Sequence, residues 1–405
     1  MLRQKVYRAE YVDLYINVIQ KIILSEDNSR PYISSSPSNG LESVQEHWIA
    51  KNPQDSLYGD THYYNYASTP LDWTIYPRSR FGSEYGFQSY PSLQTLASVT
   101  ESSDLVYPFN KSSLMEHRQH HPGGTQQIQS MIESYFNLPD AGGVSSFADY
   151  VYLSQIIQAM AMKTETESYR RDKFIDPKTG EGFTMGALYW QLNDIWQAPT
   201  WASVEFGGKW KMLHYYILKT FANLLVSPYE DRGILKISIV RDDALKQVDF
   251  ALKIFVYKWS SLSPAAIEMT DVTTSSSSFS SFSSASLVYH QNISHLTELA
   301  KCKSRFECFI FVEITNTKLN LSANNFMFLE PALKKASGLS KPNLKAIQVT
   351  KESDSKESVF KIKLQTDKIA PFVWLDFNYK SNITGTFSDN GFLLFNENQE
   401  ITFKT

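Results

Sequence analysis

Apolar and polar positions repeat with two different periods along the chain, and the change falls near residue 233. Residues 8–25 carry apolar side chains three and four apart, the spacing of an amphipathic helix. The run Asp27-Asn28-Ser29-Arg30-Pro31 ends it, and residues 31–35 read as a short buried strand. The order then recurs. Trp48 falls in a short helix, and strands are predicted over 59–64, 80–86 and 185–190. A long helix over about 147–171 precedes the last of these, and a helix over 208–216 closes the region near residue 226. Strand, crossover and strand in succession predict a parallel sheet. Its strands end in Ser34, His62, Glu84 and Trp190, polar or aromatic residues at the ends where a (β/α) barrel keeps its chemistry. Four such strands make half a barrel, which alone would leave two sheet edges open.

Beyond residue 233 the alternation has period two. Residues 235–240, 248–256 and 309–314 read as half-buried antiparallel strands, and 346–349, 360–364 and 372–375 continue the series. Regular short strands with turn signals between them predict β-sandwiches. The run 273–286 is rich in serine and threonine and reads as a flexible surface loop, either a plain insertion or one bearing O-linked sugars.

Composition changes this picture little. At 405 residues, with 42% apolar and 20% charged residues, the chain is long enough for two or three domains with ordinary cores. A net charge of -3 gives no reason to expect nucleic acid or an anionic membrane as a partner. No stretch approaches the roughly 18 to 20 apolar residues of a membrane span. The outlier is aromatic content: 23 Tyr, 25 Phe and 8 Trp. Such rings stack on the apolar faces of sugars, and they also fill ordinary cores. Four sequons begin at Asn110, Asn292, Asn320 and Asn382 and tilt the reading toward the secretory route. Cys302 and Cys308 stand six apart. Spacing alone allows a small-loop disulfide or two buried thiols, and a secretory setting favours the disulfide, closing a small hairpin loop between strands. The start, from Met1 to Tyr7, lacks the apolar core of a signal peptide, so the true N-terminus is expected to lie upstream.

Glu84 is the residue that most invites a chemical reading. It sits at the end of a predicted strand in Arg80-Phe81-Gly82-Ser83-Glu84-Tyr85-Gly86-Phe87-Gln88-Ser89, preceded by a His-Tyr-Tyr strand. A lone glutamate on a strand end is usually just solvated. Retaining glycosidases use one carboxylate to attack the anomeric carbon and a second, roughly 5 to 5.5 Å away, to protonate the leaving oxygen. No second strand-end carboxylate stands out, since Asp60 begins its strand and Asp194 lies beyond its own. The adjacent His120 and His121 rarely would chelate one ion together and are read as shaping a pocket rim.

That segment, together with His117-Arg118-Gln119-His120-His121-Pro122-Gly123-Gly124 and the stretch 186–203, resembles the lysosomal-type β-mannosidases of glycoside hydrolase family 2. The resemblance runs on through Glu205-Phe206-Gly207-Gly208-Lys209-Trp210 to Ala370-Pro371-Phe372-Val373-Trp374 and Phe387-Ser388-Asp389-Asn390-Gly391. It implies a multidomain α/β plus all-β protein. Residues 1–230 would form the C-terminal half of a (β/α)8 TIM barrel (strands 5–8), with immunoglobulin-like β-sandwiches over 231–325 and 326–405.

In site terms the resemblance implies Glu84 as nucleophile on the seventh barrel strand and Trp190 as the floor under a bound mannose. His62 and Tyr64 would lie on the sixth strand, facing the sugar and orienting the nucleophile, although a reading one residue out would swap their faces. Asn193 and Asp194 would brace the pocket from behind. The implied reaction is retaining hydrolysis of terminal, non-reducing β-D-mannose in oligosaccharides from glycoprotein breakdown in lysosomes, with no metal or organic cofactor. The family's acid/base, the Glu of an Asn-Glu pair on the fourth strand, would fall before Met1. On this reading the chain is a truncated product or a partial gene model, inactive alone. A sister activity such as β-glucuronidase or β-galactosidase, and a non-catalytic sugar- or partner-binding fragment, are the rival readings.

Overall fold

A computed structural model describes residues 2–109, 113–243, 247–275, 284–352, 358–381 and 383–405. Asn110, Asn382 and residues 276–283 of the serine-rich run lie outside them. The chain divides into two compact units. The first comprises Met1–Tyr64, Tyr76–Gly86 and Ser168–Trp190; the second holds Asn65–Ile75, Phe87–Glu167 and Gln191–Thr405.

The first unit is built on three short parallel strands, β1 (Asp60–Tyr63), β2 (Phe81–Tyr85) and β3 (Ala187–Tyr189), ordered β1-β2-β3. They match three of the four predicted strands. The fourth, over 31–35, does not form. The chain just beyond it meets β1 through an isolated antiparallel bridge between Ser38 and Asp60 and through side-chain hydrogen bonds rather than a ladder. Pro31 and Pro37 remove the N–H donors a ladder needs, and Ile33 stays exposed rather than entering a core. Gly82 holds β2 against the Tyr169 ring, which a Cβ at that position would approach to 3.2 Å. The predicted N-terminal helix is present as Leu2–Tyr11, a π-helical Val12–Gln20 and Lys21–Glu26, with Ile16 its buried apolar anchor. Trp48 is not helical; the helix there is Leu41–Gln45, and Trp48 takes a left-handed φ of 62°.

In the second unit two predicted helices reappear with shifted ends. The long one is Gly143–Arg171, of which the residues to Glu167 belong to this unit, and the other starts at Met212 rather than at 208. Gly207 and Gly208, at φ 98° and 94°, cannot belong to a right-handed helix, so the turn begins after Lys211.

The strands that follow form two antiparallel sandwiches. β4 (Leu224–Asp231), β5 (Ile234–Arg241) and β8 (Ser284–Asn292) make one sheet. It faces a second sheet, ordered β10-β9-β6-β7, of β6 (Gln247–Lys258), β7 (Pro264–Ser275), β9 (Cys308–Asn316) and β10 (Leu321–Phe328). Alternate residues such as Ile237, Ile239, Leu252, Ile254, Ile310 and Val312 close the core between them. The described ends of the serine-rich run are strand rather than loop: Thr273–Ser275 end β7 and Ser284–Ser286 begin β8. Thr274 and Ser284 are buried, so hydroxyl side chains occupy inward positions there.

The last sandwich pairs sheet β11-β12-β16-β14 with β13-β15. Its strands are β11 (Lys345–Lys351), β12 (Val359–Gln365), β13 (Ala370–Val373), β14 (Thr386–Phe387), β15 (Phe392–Leu394) and β16 (Asn398–Lys404). Leu364, Val373, Phe387, Leu394 and Phe403 fill it. Two expected boundaries fall inside elements: β4 begins at Leu224, before residue 230, and β10 runs across 325 and 326. No helix among the described residues is long and apolar enough to cross a membrane.

Cys302 and Cys308 are joined as a disulfide. The loop it closes runs from the helix Ile293–Leu299 into β9, rather than between two strands. Closing so short a loop restricts the unfolded chain by about 2 kcal/mol. Replacing both cysteines by serine is expected to lower stability by roughly that amount in chemical denaturation, and an unchanged midpoint would remove the disulfide from the stability account.

Candidate active site

The ends of β1, β2 and β3 bring together the strand-end residues that the sequence singled out. Glu84 lies near the end of β2, paired in register with His62 of β1. A register irregularity between Thr61 and His62 lets β1 present residues to Glu84 that strict alternation would not align. Tyr64, the residue after β1, donates its hydroxyl to Glu84 Oε1 at 2.8 Å. His62 Nδ1 stands 3.8 Å from Glu84 Oε2. That is an ion-pair distance if the imidazole is protonated, and too long for a hydrogen bond. The two oxygens therefore differ: Oε1 is held by a phenol, while Oε2 faces a histidine across a gap. The Glu84 side chain keeps 29% exposure, so it can be reached from solvent.

His62 is itself held from behind. Its Nε2 is 2.9 Å from Ser36 Oγ, and its backbone N–H donates to Gln54 Oε1 at 2.8 Å. Ser36 in turn donates to Asp60 Oδ2 at 2.6 Å, which also accepts from Ser83 Oγ at 2.5 Å. Ser38 N–H donates to Asp60 Oδ1 at 2.7 Å. Both Asp60 oxygens are thus occupied, and the chain Asp60–Ser36–His62 sets the imidazole opposite Glu84. Sequence reasoning did not find Ser36, Ser83 or Gln54. The one signal was Asp60, two residues before His62 on the same strand.

Trp190 follows β3, and its backbone N–H donates to Tyr85 O at 2.7 Å, which ties it to the end of β2. Its indole is 45% exposed, free to act as an apolar platform. Tyr85 beneath is fully buried and meets Tyr169 edge-on at 5.1 Å, so the platform's anchor is rigid.

Asn193 and Asp194 belong to the second unit. Asn193 is exposed and bridges Val204. Asp194 is buried; its Oδ1 accepts from Thr200 Oγ1 at 2.6 Å and from Gln191 Nε2 at 3.3 Å, closing the loop that carries both residues. Burial raises the Asp194 carboxyl above its usual range, against the opposing pull of Lys211 and Thr200. Lys211, fully buried, is pushed down by desolvation, while Asp194 and Glu205 pull it back up. His120 and His121 take different aromatic partners. His120 lies 4.7 Å from Trp196, and His121 lies 5.5 Å from both Tyr66 and Trp201. Of the sequon asparagines, Asn292 and Asn320 are exposed, Asn320 with a left-handed φ of 51° ahead of β10.

The β-mannosidase of Rattus norvegicus is 40% identical over 398 residues, covering 98% of this chain and 43% of that protein. The chain is a homologue of part of the β-mannosidases. The Mus musculus β-mannosidase is 41% identical over 402 residues, again covering 98% of this chain and 43% of its own length. A probable β-mannosidase of Caenorhabditis elegans is 32% identical over 401 residues, covering 95% of this chain and 42% of its own. The chain thus spans less than half the length of these relatives. The Ig_mannosidase model, an Ig-fold domain, matches residues 339–405, the span of the last sandwich. Among solved structures, the β-D-mannosidase of Dictyoglomus thermophilum shares the fold with a TM-score of 0.74 at 23% identity, covering 97% of this chain and 42% of that one. The exo-chitosanase CsxA of Amycolatopsis orientalis does so with a TM-score of 0.62 at 13% identity, covering 85% of this chain and 42% of its own.

Proposed function

We propose that these 405 residues supply the nucleophile half of a retaining β-mannosidase, with Glu84 as the nucleophile. The observation that carries this is the Glu84 carboxylate on β2, held through Oε1 by Tyr64 and faced through Oε2 by His62, in a chain 40% identical to a β-mannosidase. Glu84 Oε2 attacks the anomeric carbon of a terminal β-D-mannose as the glycosidic C–O bond breaks, and a mannosyl ester forms. The leaving oxygen takes its proton from a second carboxylic acid, which then deprotonates the water that hydrolyses the ester. Asp60 is unsuited to that part, because donors occupy both its oxygens. On this reading the acid/base comes from chain outside these residues, in a longer protein.

In this reading β1, β2 and β3 are strands of the C-terminal half of a (β/α)8 barrel, and 231–325 and 326–405 are immunoglobulin-like domains apart from the boundary strands noted above. Trp190 forms the apolar floor under the mannose, His62 and Tyr64 orient Glu84, and Asn193 and Asp194 support the loop beyond Trp190. The substrates are β-mannosyl oligosaccharides left by glycoprotein breakdown. The site is a lysosome reached by the secretory route, in keeping with the sequons at Asn110, Asn292, Asn320 and Asn382 and the disulfide.

The test is trapping. The longer protein carrying this chain, treated with 2-deoxy-2-fluoro-β-D-mannosyl fluoride, is expected to accumulate a covalent fluoromannosyl ester on Glu84, read by peptide mass mapping. A label on any other carboxylate, or none despite active enzyme, would overturn the assignment.

A further inference from the structure

A second cleft lies wholly within the second unit, bounded by the long helix Gly143–Arg171 and both sandwiches. Its volume is about 650 Å³, in the range of small-molecule sites. One wall is a continuous run of rings: Phe255 stands 6.1 Å from Phe311, Phe311 4.7 Å from Phe395, and Phe395 5.0 Å from Tyr257. Phe255, Phe311 and Phe395 are half-buried, so their faces are open to the cleft. Facing polar groups come from Asn324, Asn396 and Gln399. The side chains of Asn324 and Asn396 make no hydrogen bond among the described residues, which leaves two carboxamides available.

Every charge lining the cleft has an opposite partner, Glu313 lying 3.7 Å from Lys253 just outside the lining. Lys163 and Glu167 pair at 2.8 Å on its floor, and Lys219 and Asp389 pair at 2.7 Å. An anion or cation would have to break one of these pairs. A purely apolar ligand would strip water from open amides without replacing their hydrogen bonds, at a cost for each. A ligand with one apolar face and many hydroxyls satisfies both walls.

We propose that this cleft binds a neutral oligosaccharide of about two sugar units, with its apolar face on Phe311 and Phe395 and its hydroxyls on Asn324 and Asn396. The inference does not depend on the role given to Glu84. It gives the protein a place to hold a saccharide apart from the strand-end site.

The experiment uses the full 405-residue chain in ligand-observed saturation-transfer NMR, titrated with β-1,4-mannobiose, cellobiose and N,N′-diacetylchitobiose to about 10 mM, ten times a weak Kd of about 1 mM. At least one disaccharide is expected to bind saturably, and binding should survive Trp190→Ala, which removes the strand-end platform. In the surface double variant Asn324→Ala/Asn396→Ala the affinity should fall about tenfold or more, and Phe395→Ala should weaken it as well. Three results would overturn the cleft assignment: no saturable binding of any probe, loss of binding in Trp190→Ala alone, or full binding in the asparagine double variant. Because both asparagines are exposed, their replacement leaves the fold intact and keeps the comparison decisive.

Discussion

Glu84→Gln in the longer enzyme is expected to reduce kcat for an aryl β-mannoside by about 10⁴-fold or more, with the folded state unchanged. Nucleophile and acid/base act as a unit, so removing one forfeits most of what both provide. The amide keeps an oxygen to accept from Tyr64, so the hydrogen bond at Oε1 survives, and only nucleophilicity is lost. By the same logic a protein of these 405 residues alone should show no measurable turnover. It contributes one of two carboxylates, and proton donation by the other is worth about 10² to 10⁴-fold. Steady-state rates with wild type, Glu84→Gln and the 405-residue chain, alongside circular dichroism, decide the matter. A Glu84→Gln enzyme retaining more than about a tenth of the wild-type rate would refute the nucleophile role, and robust turnover by the 405 residues would refute the missing partner.

The second large effect lies away from the chemistry. Glu167, fully buried near the end of the long helix, accepts from Ser227 Oγ at 2.6 Å and Asn325 Nδ2 at 2.9 Å while pairing with Lys163. Burial pushes its carboxyl up, but the Lys163 charge and the three donors outweigh that and hold the net value below 4.5. A depressed folded-state pKa stabilises the fold above the unfolded value and loses that contribution as pH falls through the folded one. Stability from this group is therefore complete at pH 5 and above and fades below about pH 4.5. Glu167→Ala strands the Lys163 ammonium, and the cost expected is about 3 to 5 kcal/mol. Denaturation midpoints from pH 3 to 7 should show a large loss for Glu167→Ala and a flatter acid limb. A variant melting with the wild type at neutral pH would show that the buried pair is dispensable.

The legible parts of the fold were those where local pattern and environment agree. Strand β2 was readable because an apolar run with Gly82 carries Glu84 to a strand end, and β6 because Val248, Phe250, Leu252 and Ile254 point inward at every second position. The segment 31–35 was misread because apolar content in Tyr32 and Ile33 says nothing about partners, and Pro31 within it and Pro37 just beyond it left too few donors to pair. The start of the helix at Met212 was missed because Trp210 and Lys211 continue a helical spacing that Gly207 and Gly208 interrupt by conformation alone. In the site, Glu84, His62, Tyr64 and Trp190 were visible as strand-end residues. The Ser36–Asp60–Ser83 support was not, since its members lie up to 47 positions apart and meet only through tertiary contact. Period two puts His62 and Tyr64 on one face without saying which; the irregularity after Thr61, invisible in the sequence, is what sets His62 rather than Tyr63 opposite Glu84.

Among the described residues, β1 and β3 each have a strand neighbour on one side only. On the outer side of β1 the N–H groups of Asp60 and His62 are already taken, by Ser38 O and Gln54 Oε1, while the nearby N-terminal helix displays Leu14, Val18 and Ile22 to solvent. Such a surface recruits whatever apolar chain is at hand. A preparation of the 405 residues should therefore self-associate as its concentration rises, with light-scattering mass growing with dilution reversed, and hold folding chaperones during expression. Its handling would be governed by that exposed apolar helix face long before its chemistry came into question.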